Sequence, residues 1–366
     1  MVTIENGIGN YLISENIRYS YFAGNNYLGL AAHPDLVTAA TEALTKYGVS
    51  FSASRQTTGT SSIHLELEKL LAEYKNEEDA IVFATGYLGN HLLMETLKNQ
   101  YSLIITDAQS HPSVRFAGPA RRRTISYYHC DPNHLENLLK KETKRRALIA
   151  TDGIFALTGE IAPIDEIYFL AQKYHAILVV DDAHATGVLG ENGRGTPEHF
   201  KIERGTNLYQ SETMSKALGA FGGFITAEKN FIQKMRSTST AYSASTALPP
   251  SLVGAGCASV RLINQHPELR QQLLENAFQV REGVKKIRFA TSEGITPIIP
   301  LFLENQSEAK NLSAFLLLNH IIAPAVDYPV KTGKFIVRIT VSATHTKDQI
   351  ENLLHVLKIW RDLSMS

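Results

Sequence analysis

Lys216 stands in the run Thr213-Met214-Ser215-Lys216-Ala217-Leu218-Gly219-Ala220-Phe221-Gly222-Gly223, downstream of an apolar segment ending Val180-Asp181-Asp182-Ala183-His184. An amine, a carboxylate and a stretch of small residues are what a pyridoxal phosphate site requires. The amine forms a Schiff base, the anion keeps the ring nitrogen protonated, and the small residues let backbone amides approach the phosphate. Ser215-Lys216 alone carries little, because most lysines are solvated surface residues. The surrounding aspartate and glycines are what point to the cofactor.

Asp181 closes an apolar run, where a carboxylate is costly unless paired. A pyridinium nitrogen is a suitable partner, and the carboxylate in turn raises the pKa of that nitrogen. The alternative is a helix N-cap, a task open to Asp182 as well. His184, three residues on, is placed to reach the ring's phenolic oxygen, unless it is a satisfied core histidine. His111, in Asp107-Ala108-Gln109-Ser110-His111-Pro112-Ser113, is either a structural loop residue or an imidazole lying on a π-ring. Thr85-Gly86-Tyr87 follows one apolar run and precedes a helical pattern, a setting in which backbone amides receive a phosphate. Arg338 interrupts the apolar run Phe335-Ile336-Val337-Arg338-Ile339 and needs a partner, either a structural ion pair or a substrate carboxylate held by its forked donors.

These residues need a scaffold that collects strand ends. Short apolar runs at 80–84, 103–106, 147–150, 177–180, 207–210 and 223–226 read as strands, several of them apolar at every position. That pattern suits a parallel sheet covered on both faces. Between them Leu67, Leu70, Leu71 and Tyr74 recur at helical spacing, as do Ile167, Leu170, Ala171 and Tyr174. The class is α/β. Ligands of open α/β sheets sit beyond the carboxyl ends of the strands, so one site is expected to collect Thr85-Gly86-Tyr87, Asp107, Thr151-Asp152-Gly153 and Asp181 with His184. After Pro249-Pro250 the texture changes to long helix-like segments, a return strand at 334–340 and a last helix bearing Ile350, Leu353, Leu354 and Leu357. The expected division is an N-terminal segment, 1–40, packing with the small domain; a large cofactor-binding domain, 41–250; and a smaller C-terminal α/β domain, 251–366.

Composition narrows the partners. The 366 residues are 44% hydrophobic, and 36 Lys plus Arg balance 36 Asp plus Glu. That balance offers no global attraction to nucleic acid or to an anionic membrane. Cys130 and Cys257 form neither metal spacing nor a disulfide framework, the N-terminus lacks the regions of a signal peptide, and 314–326 is too short to span a bilayer. A cytoplasmic protein without metal is the expectation.

Many ordered motifs resemble the α-oxoamine synthase family, fold-type I pyridoxal phosphate enzymes that join an amino acid to an acyl-CoA with loss of carbon dioxide. They are Asn25-Asn26-Tyr27-Leu28-Gly29-Leu30 with His33-Pro34, Ser54-Arg55, Gly59-Thr60 with His64 and Glu68, and Thr85-Gly86-Tyr87. Next come Asp107 with His111, Thr151-Asp152-Gly153, Asp181 to His184 and Gly193-Arg194-Gly195. The last are 213–223, Leu248-Pro249-Pro250, and Arg338 before Ser342-Ala343. The resemblance implies a large domain with a mostly parallel central sheet, Lys216 as the Schiff-base and proton-moving residue, Asp181 on the pyridine nitrogen and His184 on the phenolic oxygen. It places His111 on the ring, Gly86, Tyr87 and Thr213 at the phosphate, and Asn25 and Arg338 at the substrate. It further implies homodimers with shared active sites, Ser245 and Thr246 matching a segment that reaches the neighbour's phosphate.

Some positions depart from the family pattern. Ala156, in Ile154-Phe155-Ala156-Leu157-Thr158-Gly159, stands where a serine is usual, and Arg55-Gln56-Thr57-Thr58-Gly59 lacks the usual apolar pair. Few residues precede Arg18, which shortens an N-terminal helix used by some members for the acyl chain, and Asp327-Tyr328-Pro329-Val330 is atypical. The expected substrates are a small amino acid, alanine first, and an acyl-CoA or acyl carrier thioester. Ser215-Lys216 and Ala247-Leu248-Pro249-Pro250 lean toward the alanine-using members of biotin formation. Gly193-Arg194-Gly195-Thr196-Pro197-Glu198-His199 and Tyr328-Pro329-Val330 lean toward glycine-using ones. Other readings are a serine-using palmitoyltransferase, an aminotransferase or lyase on the same fold, and a binding protein that keeps the cofactor without turnover.

Overall fold

The computed structural model describes residues 2–364 except 143, 204 and 328–332, so the atypical stretch Tyr328-Pro329-Val330 lies outside the described residues. The chain opens with a hairpin of β1 (Tyr11–Ser14) and β2 (Ile17–Tyr21), turned by Glu15 and Asn16, both at positive φ. Such two-residue turns match the twist of the strands they join.

Seven strands then build the central sheet: β3 (Asp79–Phe83), β4 (Leu103–Asp107), β5 (Arg123–Tyr127), β6 (Ala147–Asp152), β7 (Ile177–Asp181), β8 (Leu208–Thr213) and β9 (Gly223–Ala227). Their spatial order is β3-β9-β8-β7-β6-β4-β5. All neighbours run parallel except β9, which is antiparallel to β3 and β8. Six of the seven correspond to the apolar runs at 80–84 through 223–226. The seventh, β5, is an edge strand with mostly exposed or half-buried residues, so no apolar run betrays it.

Side-chain alternation divides each buried strand between two cores. In β4, Leu103 and Ile105 join the core under Leu135 and Ile167, while Ile104 joins the one under Leu92 and Leu93. In β7, Leu178 and Val180 share the first core, and Ile177 and Val179 the second. This parity decides which strand ends meet.

The C-terminal part holds β10 (Ile298–Leu303), β11 (Ile321–Ile322), β12 (Ala325–Val326) and β13 (Phe335–Thr340). An antiparallel sheet of order β10-β13-β12 packs on Leu312, Leu316, Leu353 and Trp360, while β11 pairs in parallel with β2. The sequence reading expects helices and a return strand here, and β10 is an addition to it. Pro300 argues against a strand, yet β10 lies at the sheet edge, where a missing N–H is tolerated. Val337 and Ile339 enter this C-terminal core, so Arg338 between them points the other way.

Candidate active site

Asp152 and Asp181 end neighbouring strands in direct register. Asp181 has the parity of Ile177 and Val179, so it emerges on the face covered by the helix Gly89–Thr96. One carboxylate oxygen there accepts from Asn90 Nδ2 at 2.6 Å and Ser113 Oγ at 3.1 Å, and the other from the Ala183 amide at 3.1 Å. Asp181 therefore makes one turn contact, but no helix starts after it. Asp182 instead accepts from the Thr196 amide, the Thr196 hydroxyl and Gln210.

Asp107 does not join them. Its parity is that of Leu103 and Ile105, so it turns to the opposite face and accepts from His129 Nδ1 at 2.9 Å and the Cys130 amide at 2.8 Å. The expectation that one site collects all four strand ends is thus corrected: a one-residue change in parity sends Asp107 to a separate ion pair. Burial opposes protonation of His129, yet hydrogen bonds to Asp107, Cys130 and Glu160 push it up to about 11. Asp107 still shapes the site indirectly, since it accepts the Gln109 amide at 2.7 Å in the loop that carries His111.

A cavity of about 230 Å³ lies over this strand edge, lined by Lys216 together with Asp181, His184 and His111. Gly86, Tyr87, Thr213 and Asn25 line it as well. Lys216 sits in the connection between β8 and β9, which the Met214 amide closes onto the Gly222 carbonyl. Gly222 has φ +114°, a conformation other residues rarely adopt. A Cβ on Gly86 would stand 2.7 Å from the Thr213 Cβ, so only glycine permits that approach. Thr213 Oγ1 donates to the Gly222 carbonyl at 2.9 Å and accepts the Ser215 amide at 3.1 Å, which gathers hydroxyls beside the turn Gly86–Leu88.

His111 caps the short helix Pro112–Arg115, with Nδ1 2.7 Å from Ser113 Oγ, and Tyr87 meets its ring edge-on. His184 Nδ1 lies 2.6 Å from the buried Tyr27 hydroxyl. Arg338 donates to the carbonyls of Ala156 (2.7 Å) and Gly24 (3.3 Å), to Thr340 Oγ1 (2.8 Å) and to Asn25 Oδ1 (3.0 Å). Among the described residues no carboxylate pairs with it, so of the two partners expected from sequence a structural ion pair is not found. Ser245 and Thr246 do not line this chain's cavity: Ser245 Oγ donates to the Ala241 carbonyl, and Thr246 bridges to Ser54.

Charge follows from burial. Burial, aided by Arg338, pulls the Lys216 ammonium down to about 8 against Asp181 and Asp152. Burial also holds His184 well below the ordinary histidine value and lowers His111, with Lys216 adding to both. Asp152 is driven well above the carboxylate range by burial and by the Asp181 charge. Asp152 takes the strand-end place expected of it, though without a role assigned from sequence. Asn90, Ser113 and Tyr27 are the site's additions to the residues singled out; Tyr27 stood inside a family motif without a role, whereas Asn90 showed only as a polar residue in a largely buried helix.

A mostly parallel seven-stranded sheet with this lysine and aspartate at its carboxyl edge defines a fold-type I pyridoxal phosphate-dependent transferase. The profile of the aminotransferase class I and II family matches residues 20–357. The 8-amino-7-oxononanoate synthase of Thermoanaerobacter pseudethanolicus is 35% identical over 370 residues, covering 100% of this chain and 93% of that protein. The enzyme of the same name from Lysinibacillus sphaericus is 38% identical, covering 93% and 88%. Among solved structures, a serine palmitoyltransferase variant from S. paucimobilis with a bound PLP–myriocin aldimine superposes with a TM-score of 0.93 at 28% identity, covering 100% of this chain and 94% of that one. The chain belongs to the aminotransferase class I and II family, in its α-oxoamine synthase branch.

Proposed function

We propose that this protein is a pyridoxal phosphate-dependent C-acyltransferase of the 8-amino-7-oxononanoate synthase type, condensing alanine with an acyl-CoA thioester and releasing carbon dioxide. The observation that carries the reading is Lys216 and Asp181 lining one cavity at the carboxyl edge of the sheet, in a chain 35–38% identical to enzymes of that name.

The residues fit the cofactor. Gly86, Tyr87, Thr213 and Ser215 would hold its phosphate, Asp181 its ring nitrogen, His184 its phenolic oxygen, and His111 would cover its face. When bound, pyridoxal phosphate supplies an electron sink for negative charge at the amino acid's Cα. Lys216 Nζ would anchor the cofactor, and with a pKa of about 8 it can take and return a proton near neutral pH. Asn90, Ser113 and the Ala183 amide all donate to Asp181 and so hold its carboxylate in place for the ring nitrogen. Arg338 brings a buried positive charge whose hydrogen-bond acceptors are all neutral, and a substrate carboxylate would balance it. Four of its five N–H groups are already engaged, so the carboxylate would be shared between the remaining N–H and Asn25 rather than gripped by a free fork.

Cofactor capture requires the neutral amine, and the neutral fraction grows as pH rises through the Lys216 pKa. The rate at which cofactor-stripped protein regains its visible absorbance should therefore climb with pH around a midpoint near 8. A midpoint near 10.5, the ordinary lysine value, would contradict the burial argument.

The serine palmitoyltransferase likeness supports a second substrate reading, serine with a long acyl chain. Thiol release measured for alanine, glycine and serine against acetyl-, pimeloyl- and palmitoyl-CoA separates the two. Alanine with pimeloyl-CoA is expected to lead, with a graded margin, because one methyl group discriminates only about 10–200-fold. Serine with palmitoyl-CoA in first place would transfer the assignment to the second reading.

The domain division at about 40 and 250 belongs to the same proposal. Its support is the pairing of β2 with β11 and a second core built from Phe22 and C-terminal residues. A homodimer with Ser245 and Thr246 serving the neighbour's phosphate accords with their position away from this chain's own cavity. A cytoplasmic location accords with two free cysteines. No described helix is long and apolar enough to cross a membrane.

A further inference from the structure

Tyr27 is fully buried, and its hydroxyl lies 2.6 Å from His184 Nδ1 and 3.2 Å from Asn25 Oδ1, the two groups that can accept its proton, with the Arg338 guanidinium beside it as a donor. A phenol carries one proton, so it donates to only one of them. Asn25 Oδ1 already accepts from the Arg338 guanidinium at 3.0 Å, which occupies one of its two lone pairs. The imidazole nitrogen is the stronger base and stands at the shorter distance. Burial pushes the Tyr27 phenol up to about 12, so the proton is present throughout the working range.

We propose that Tyr27 is a positioning residue that donates to His184 Nδ1 and so fixes the neutral histidine with its proton on Nε2. Only that tautomer has an N–H left to give to an oxygen in the cavity. With the opposite polarity, Nδ1 would donate to Tyr27 and Nε2 would present a lone pair, which repels a phenolate. The same hydroxyl sits beside Asn25, itself bonded to Arg338, so one side chain sets the histidine against the carboxylate-binding pair. This inference rests on the proposed cofactor and deepens its assignment to His184.

The test uses holoenzyme with ¹⁵N-labelled histidine. Wild-type His184 should show a protonated Nε2 and an unprotonated Nδ1, and Tyr27→Phe, which keeps the ring and removes only the hydroxyl, should lose that preference and shift the visible absorption of the bound cofactor. In steady state Tyr27→Phe should lower kcat roughly tenfold with KM for the amino acid little changed. In a His184→Ala background the same substitution should have almost no further effect, because its action passes through the histidine. A protonated Nδ1 in wild type, or an equal kcat loss from Tyr27→Phe with and without His184, would overturn the proposal. The tautomer is read without turnover, so absence of condensation activity would sink the proposed function and still leave Tyr27 decided.

Discussion

Lys216→Ala should yield a folded protein that lacks the lysine-linked visible band of the cofactor and has lost activity by at least about 10²–10⁴-fold. The fold should survive, because truncating Lys216 removes an amine whose charged form burial disfavours and leaves the Met214–Gly222 closure of the loop in place. Activity should collapse because, among the described residues, the cavity then has no lysine lining it. Lys75, a buried lysine, is tied to Glu212 and the Arg194 carbonyl and cannot take over. Circular dichroism and the visible spectrum together check the outcome. An unchanged visible band in the alanine variant would show that Lys216 is not the anchoring residue.

Asp181→Asn should lower turnover by roughly 10²–10³-fold while leaving cofactor affinity much less affected. The substitution keeps the shape and the Ala183 contact, but removes the charge opposite the ring nitrogen and changes what Asn90 and Ser113 meet. It should also relieve Asp152, whose carboxyl is held above its usual range by burial and then by the Asp181 charge. Loss of that repulsion predicts a variant that is stable although inactive. Turnover close to wild type would reduce Asp181 to a turn-forming acid.

Much of this architecture is legible in the sequence because buried parallel strands cannot hide: Leu103-Ile104-Ile105 and Ile177-Leu178-Val179-Val180 are apolar on both faces and end abruptly in aspartates. Strand ends so marked also mark the edge of the sheet where a ligand binds. What stays hidden is of two kinds. The edge strand β5 is largely polar and carries no run to read, while β10 is apolar throughout but is broken by Pro300, which argues against a strand until its edge position is known. Contacts distant in the chain leave no local pattern either. Asn90 is 91 residues from the Asp181 carboxylate it holds, Ser113 is 68 residues from it, and Tyr27 is 157 residues from His184. Asp107 shows a subtler limit, because the site it belongs to depends on strand parity, and the end of a run does not announce which face its last residue will take.

The bonds made and broken by the proposed condensation give its most direct check. Purified protein supplied with pyridoxal phosphate, alanine and pimeloyl-CoA should release free thiol and carbon dioxide in equal amounts, since each new carbon–carbon bond expels one thiolate and the product then loses one carboxylate. No keto acid should be needed as acceptor. Amino-group transfer from alanine to an added keto acid, with neither thiol nor carbon dioxide released from any of the acyl-CoA thioesters, would contradict the account and make this site that of an aminotransferase.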